Sequence, residues 1–227
     1  MRGQANLYNI RANFIRQGDH MTREKWEETF QSLIEYIREN HALEIDDAYE
    51  YFWEEEDPEE FIGGTALVMG FHNFEDWMAC DYMDKKTGKS FIDLYLEAKS
   101  PSEEQRAVLE AMRQSYISVF EVRTAGDTVT LEDLSNGAEF SLSDDRLKCL
   151  SQGDMFGARI FDAGGGLVMT NAIYPFGNRF REAVMEHLEA MYRRYAKHYE
   201  EPSMEKFLRQ ETYTINTVWV TCLFRAR

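Results

Sequence analysis

Between His72 and Asp84 the chain gathers one imidazole and four carboxylates: His72, Glu75, Asp76, Asp81 and Asp84. His72 and Asp76 are four residues apart, so a helix would carry them on one face, as two ligands of a divalent metal must be. Asp81 joins that face only if the helix is unbroken, and Asp84 does not reach it. Surface acids in water explain the same residues with less, and we adopt that reading because ionised side chains rarely leave solvent. His41 and Glu44 repeat the His-x-x-Glu order of His72 and Glu75; His41 follows Asn40 at a helix end, where an imidazole suits the dipole. No metal or cofactor is therefore expected.

Other catalytic patterns are missing. Cys80, Cys149 and Cys222 are odd in number and widely spaced, without the CxxC or Cys/His clustering of zinc and redox sites, and read as reduced, mostly buried thiols. Ser115 and Ser118 lack a nucleophile elbow, and Gly164-Gly165-Gly166 lacks the following Lys-Ser/Thr of a phosphate loop. An enzyme or a nucleotide- or nucleic-acid-handling protein remains the alternative class, its site assembled from dispersed residues such as His72, Asp76, Asp81 and Arg113.

Charge points elsewhere. The 227 residues carry 41 Asp and Glu against 25 Lys and Arg, a net of -16 that repels phosphate backbones and anionic membranes. Residues 22–60 contribute a net of -12, whereas 176–227 come to +2. The acidic run Glu54, Glu55, Glu56 and Asp57 and the basic residues Arg193, Arg194 and Lys197 are the expected interaction surfaces. An acidic helix over 44–60 could meet the basic stripe within one molecule or between two, so a homo-oligomer is conceivable. A protein partner is expected, nucleic acid and membrane are not, and the polar-interrupted first twenty residues lack a signal-peptide core. A reducing cytoplasm is the simplest compartment.

Hydrophobic rhythm supplies the frame for these groups. Thr22 could cap a helix with Trp26, Phe30, Leu33, Ile34 and Ile37 on one face. A second helix is expected over 44–56, and Pro58 could start a third. The glycines at 63, 64 and 70 predict two shorter helices rather than one across 61–82. Ser100-Pro101-Ser102-Glu103 combines a capping box with proline at the first helical position and so marks a strong helix start, with Val108, Leu109, Met112 and Tyr116 behind it.

From Tyr116 to Pro175 the period changes to two, giving about five short strands, with Asn136-Gly137 predicting a tight type I′ hairpin. An SH3-like barrel or a similar curled sheet closes them most economically. After Pro175 a long helix and a short one through Phe207 and Leu208 precede a tail, 212–224, whose β-branched and aromatic residues predict a strand.

Phe74-Glu75-Asp76-Trp77, Asp81-Tyr82, Leu94-Tyr95-Leu96, Arg113-Gln114-Ser115, Ser118-Val119-Phe120-Glu121-Val122 and Leu131-Glu132-Asp133-Leu134 together resemble uncharacterised bacterial proteins, some of which carry a zinc-binding SEC-C tail. The resemblance spans about residues 74–160 and implies helix-to-barrel architecture without an activity. The tail's metal function does not transfer, since this C-terminus offers only Cys222.

The reading is an α+β protein in three regions that pack as one body: 1–115 mainly helical, 116–175 a small barrel-like sheet, and 176–227 a helix plus strand. Its expected role is a noncatalytic protein-interaction module.

Overall fold

The computed structural model describes residues 21–163 and 166–226, so the readings of the first twenty residues and of Gly164-Gly165 fall outside the described part. Helix α1 (Met21–Asn40) turns Trp26, Leu33, Ile34 and Ile37 into the core, following its predicted stripe. It already includes Met21, so Thr22 lies within it rather than ahead of it. His41 separates α1 from α2 (Ala42–Phe52), its ring packed against Tyr36 and Phe91. Pro58 opens the one-turn α3 (Pro58–Phe61), capped by the Asp57 carboxylate, which accepts the Glu59 N–H.

Helix α4 (Gly64–Cys80) is one unbroken element, which corrects the expectation of a break near Gly70. A Cβ at Gly70 would come within 2.8 Å of the Trp53 ring, with Trp219 also in contact range. The glycine is a seat for indole rings, and their burial outweighs the roughly 1 kcal/mol that glycine costs a helix. After α5 (Phe91–Ala98), α6 (Glu103–Gln114) starts two residues later than a Ser100–Glu103 capping box would place it: Ser102 is the cap and accepts the Gln105 N–H, the Gln105 side chain accepts the Ser102 N–H, and Pro101 lies ahead of the helix rather than in its first turn.

Strands β1 (Ile117–Thr124), β2 (Val129–Asp133), β3 (Glu139–Leu142), β4 (Met155–Asp162) and β5 (Leu167–Phe176) then form one antiparallel sheet in the order β3-β2-β1-β4-β5. The sheet curls into a half-barrel with β3 and β5 at its edges; it is not a closed SH3-like barrel. The β2–β3 link is likewise not a type I′ turn. Only Gly137 has a positive φ, and Asp133 and Ala138 bracket a four-residue loop.

Side chains meet main-chain groups on the edge strand β5, which would otherwise be open to other chains. The Asn73 amide of α4 donates to the Ile173 carbonyl at 3.1 Å and accepts its N–H at 2.8 Å. The buried Arg146 donates to the carbonyls of Met169 and Thr170 while paired with Asp144.

Helix α7 (Arg181–Tyr195) and α8 (Met204–Gln210) follow, and the tail is α9 (Tyr213–Ala226), a helix where a strand was expected. Ile215, Val218, Trp219 and Cys222 are spaced i, i+3, i+4, i+7, and all four are buried. Packing of that stripe on β5 and α7 overrides the strand propensity of single residues. One apolar core runs from Trp26 to Cys222.

Candidate functional site

The carboxylates singled out between residues 72 and 84 do not form a common surface. His72 stays half-exposed on α4, with Nδ1 3.8 Å from Glu75, which also accepts from Arg38. Asp76 and Asp81 turn inward, and this corrects their reading as solvated acids. Both pair with Arg159 of β4: its Nε donates to Asp76 at 2.8 Å and its Nη2 to Asp81, while Nη1 donates to Ser115. Arg159 is completely buried and Asp76 is 2% exposed. Asp84 is spent separately on the Thr87 hydroxyl and N–H. Arg113 donates to Asp93 at 2.7 Å.

Electrostatics within this cluster follow from burial. Desolvation raises the Asp81 carboxyl to about 6, although Arg159 pulls the other way. Burial opposes the charge on Arg159, yet Asp76 and Asp81 hold its guanidinium well above the usual arginine range. Burial, reinforced by the same two acids, pushes the Tyr174 hydroxyl up, and burial does the same to the Cys80 thiol. A fully ionised Arg159 with two carboxylates is an internal ion cluster, and its members bond to one another rather than to a cleft. Among the described residues no group of three or more His, Cys, Asp and Glu is disposed to hold a metal.

An accessible concavity lies elsewhere. A groove of about 450 Å³ runs between α7, α8 and the β2–β3 loop, lined by Val119, Leu134, Met185, Leu188, Met204 and Leu208. Ser135 and three acids of α7, Glu182, Glu186 and Glu189, complete its wall. With Met185, these acids recur at i, i+3, i+4 and i+7 and so share one helical face.

The loop that forms the groove's far lip is held by Asp133. Its carboxylate accepts from the Ser118 hydroxyl at 2.6 Å, the Ser135 N–H at 2.8 Å and the Asn136 amide at 3.3 Å. The Leu134 N–H donates to the Val119 carbonyl at 2.8 Å, tying two lining residues together. On the opposite wall, Glu189 pairs with Arg193, whereas Glu182 and Glu186 have no ion-pair partner among the described residues. Neither the groove nor Arg159 was singled out from the sequence.

The expected interaction residues are scattered. Glu54 accepts from the Thr217 hydroxyl and Asp57 caps α3, while Glu55 and Glu56 are exposed. Arg193 pairs with Glu189; Arg194 and Lys197 are exposed. No ion pair among the described residues joins 44–60 to the basic stripe; Lys86 and Lys85 instead meet Glu44 and Asp47. Other cations of α7 and α8 are also paired within the fold, Arg181 with Glu121 of β1 and Arg209 with Glu205 one turn away. No described helix is long and apolar enough to cross a membrane.

No curated protein and no solved structure matches the chain. A family of unknown function (DUF7986) matches residues 70–216, a span that takes in the Arg159 cluster, the whole sheet and both helices of the groove. That match covers well over half of the 227 residues, and the chain belongs to this family.

Proposed function

We propose that this protein is a noncatalytic protein-interaction module that docks a segment of a partner protein in the groove between α7, α8 and the β2–β3 loop. The observation that carries the reading is the groove itself: a concavity with an apolar lining, bordered by glutamates of which Glu182 and Glu186 have no ion-pair partner among the described residues. Peptide-recognition grooves have this composition, with apolar residues supplying affinity and a polar rim supplying specificity. A raised carboxyl such as Asp81 is a feature that acid–base catalysts share. Here it arises from burial beneath Arg159, away from the open concavity. The net charge of -16 argues against a phosphate-backbone partner, and three free cysteines suit a reducing cytoplasm.

A photo-crosslinking amino acid at Met185, inside the groove, tests this in the native host, with the exposed Leu43 as the control position. The reading expects a discrete protein adduct from position 185 alone. Equal adduct patterns from both positions, or none from 185 together with turnover of a metabolite by the purified chain, would contradict it.

A further inference from the structure

We infer that the occupant of the groove is a basic amphipathic α-helix of the partner protein, an inference that rests on the groove being a docking surface. Three observations converge. First, two helices form the walls, and the apolar lining comes from α7, α8, β1 and the β2–β3 loop, so the space is a trough between helices rather than an open strand edge. A trough of this kind accepts a helix that lays down residues at i, i+3, i+4 and i+7. At about 450 Å³ it takes the side chains of such a stripe and not a folded surface. Second, Glu182 and Glu186 lie on the α7 face that borders the apolar floor and have no ion-pair partner among the described residues. Lysines or arginines flanking the partner's apolar stripe would supply the missing countercharge. Third, Met185 and Met204 sit in the lining, and unbranched thioethers adapt to partners whose apolar residues differ in shape.

The same geometry disfavours an acidic helix, because Glu182, Glu186 and Glu189 would face like charge across a partly desolvated gap. Recognition should therefore depend on charge as well as on apolar contact, and should weaken as salt shortens the screening length from about 10 Å at 0.1 M.

Two synthetic 18-residue helices test the inference on the full chain, both with Leu at i, i+3, i+4 and i+7, one with Lys at every other position and one with Glu. Fluorescence anisotropy is expected to show the Lys peptide binding at least about tenfold more tightly than the Glu peptide, as two or three rim pairs of ordinary strength would give. Glu182→Lys with Glu186→Lys should reverse the preference, and Met185→Lys should weaken both peptides. Glu55→Lys with Glu56→Lys, which changes net charge equally but lies outside the groove lining, should leave the preference intact.

Equal loss in that control pair would mean bulk attraction to an acidic protein and would overturn the inference. So would a concentration-dependent dimer abolished by Met185→Lys, which assigns the groove to a second copy. If neither peptide binds while position 185 still gives its discrete adduct in the host, the basic helix is wrong and the docking surface stands. Loss of both results removes the docking surface as well.

Discussion

The Arg159 cluster and the α7–α8 groove contain the same kind of side chain and use it in opposite ways. In the cluster, Asp76 and Asp81 are withdrawn from water and turned on one guanidinium, so their charge is consumed inside the fold. In the groove, Glu182 and Glu186 remain on the rim beside apolar residues without an ion-pair partner among the described residues. A carboxylate therefore cannot be assigned a role from its type or its neighbours in sequence. What decides is whether the fold delivers a countercharge, and at Asp76 the countercharge arrives from a strand 83 positions away.

The strongest way to break this contrast is to remove the countercharge. Arg159→Met leaves two buried carboxylates unpaired and is expected to cost about 3–5 kcal/mol of stability at neutral pH, measured by denaturant unfolding. Replacing Asp76 and Asp81 by Leu in the same chain should recover most of that loss. A single Arg159→Met variant as stable as the parent would show that the cluster contributes nothing to folding.

A second expectation concerns proton binding. Asp81 titrates at about 6 in the folded chain, above the ordinary aspartate value of about 4, so the folded state holds this proton more tightly than the unfolded state. The contribution of Asp81 to stability is full below about pH 4 and is lost as pH rises through 6, by on the order of 3 kcal/mol. Glu75, Asp93 and Asp144, whose carboxyls are held low by His72 with Arg38, by Ser90 with Arg113, and by Arg146, against the opposing effect of burial, act in the opposite sense. The difference in melting temperature between the parent and Asp81→Asn therefore isolates the effect, and it should change between pH 4 and 7. A difference that stays flat over this range would contradict the dominance of burial over the Arg159 pairing at Asp81.

Asp133 links the two kinds of site, being a buried acid that serves the groove. Asp133→Ala removes an acceptor from Ser118, the Ser135 N–H and Asn136, and should cost roughly 1–3 kcal/mol. It should also weaken peptide binding by loosening the lip at Leu134 and Ser135. The smallest stability effect is expected at the rim: Glu186→Lys should alter stability by less than about 0.5 kcal/mol, in line with exposed positions, while still changing peptide preference.

Much of the frame was legible because local pattern and tertiary packing agree there. The stripe from Trp26 to Ile37 and the change of period before Ile117 follow from spacing alone, and α+β architecture follows from them; the helix start near residue 102 was legible too, although its cap is Ser102 with Gln105 rather than Ser100 with Glu103. The C-terminal helix was hidden by its β-branched residues, although Ile215, Val218, Trp219 and Cys222 already stood at helical spacing. Gly70 suggested a break because glycine weakens isolated helices; only the approach of the Trp53 ring reveals its use.

The sites were less legible, since each depends on contacts distant in sequence. Arg159 did leave a signal: it is the single cation in Met155-Phe156-Gly157-Ala158-Arg159-Ile160-Phe161, and a charge in so apolar a strand requires a buried partner. Nothing comparable marks the groove. Its lining is drawn from four separate segments, and the acids of α7 read in sequence as an ordinary solvated face.

Amide hydrogen exchange on the full chain, with and without the Leu/Lys helix, tests the central claim most directly by reporting both regions in one experiment. Slower exchange is expected across Glu182–Glu189, Met204–Leu208 and Leu134–Ser135, with the segments around Asp76–Asp81 and Arg159 unchanged. Protection centred on Asp76, Asp81 and Arg159 instead would place the responsive surface at the ion cluster and contradict the account.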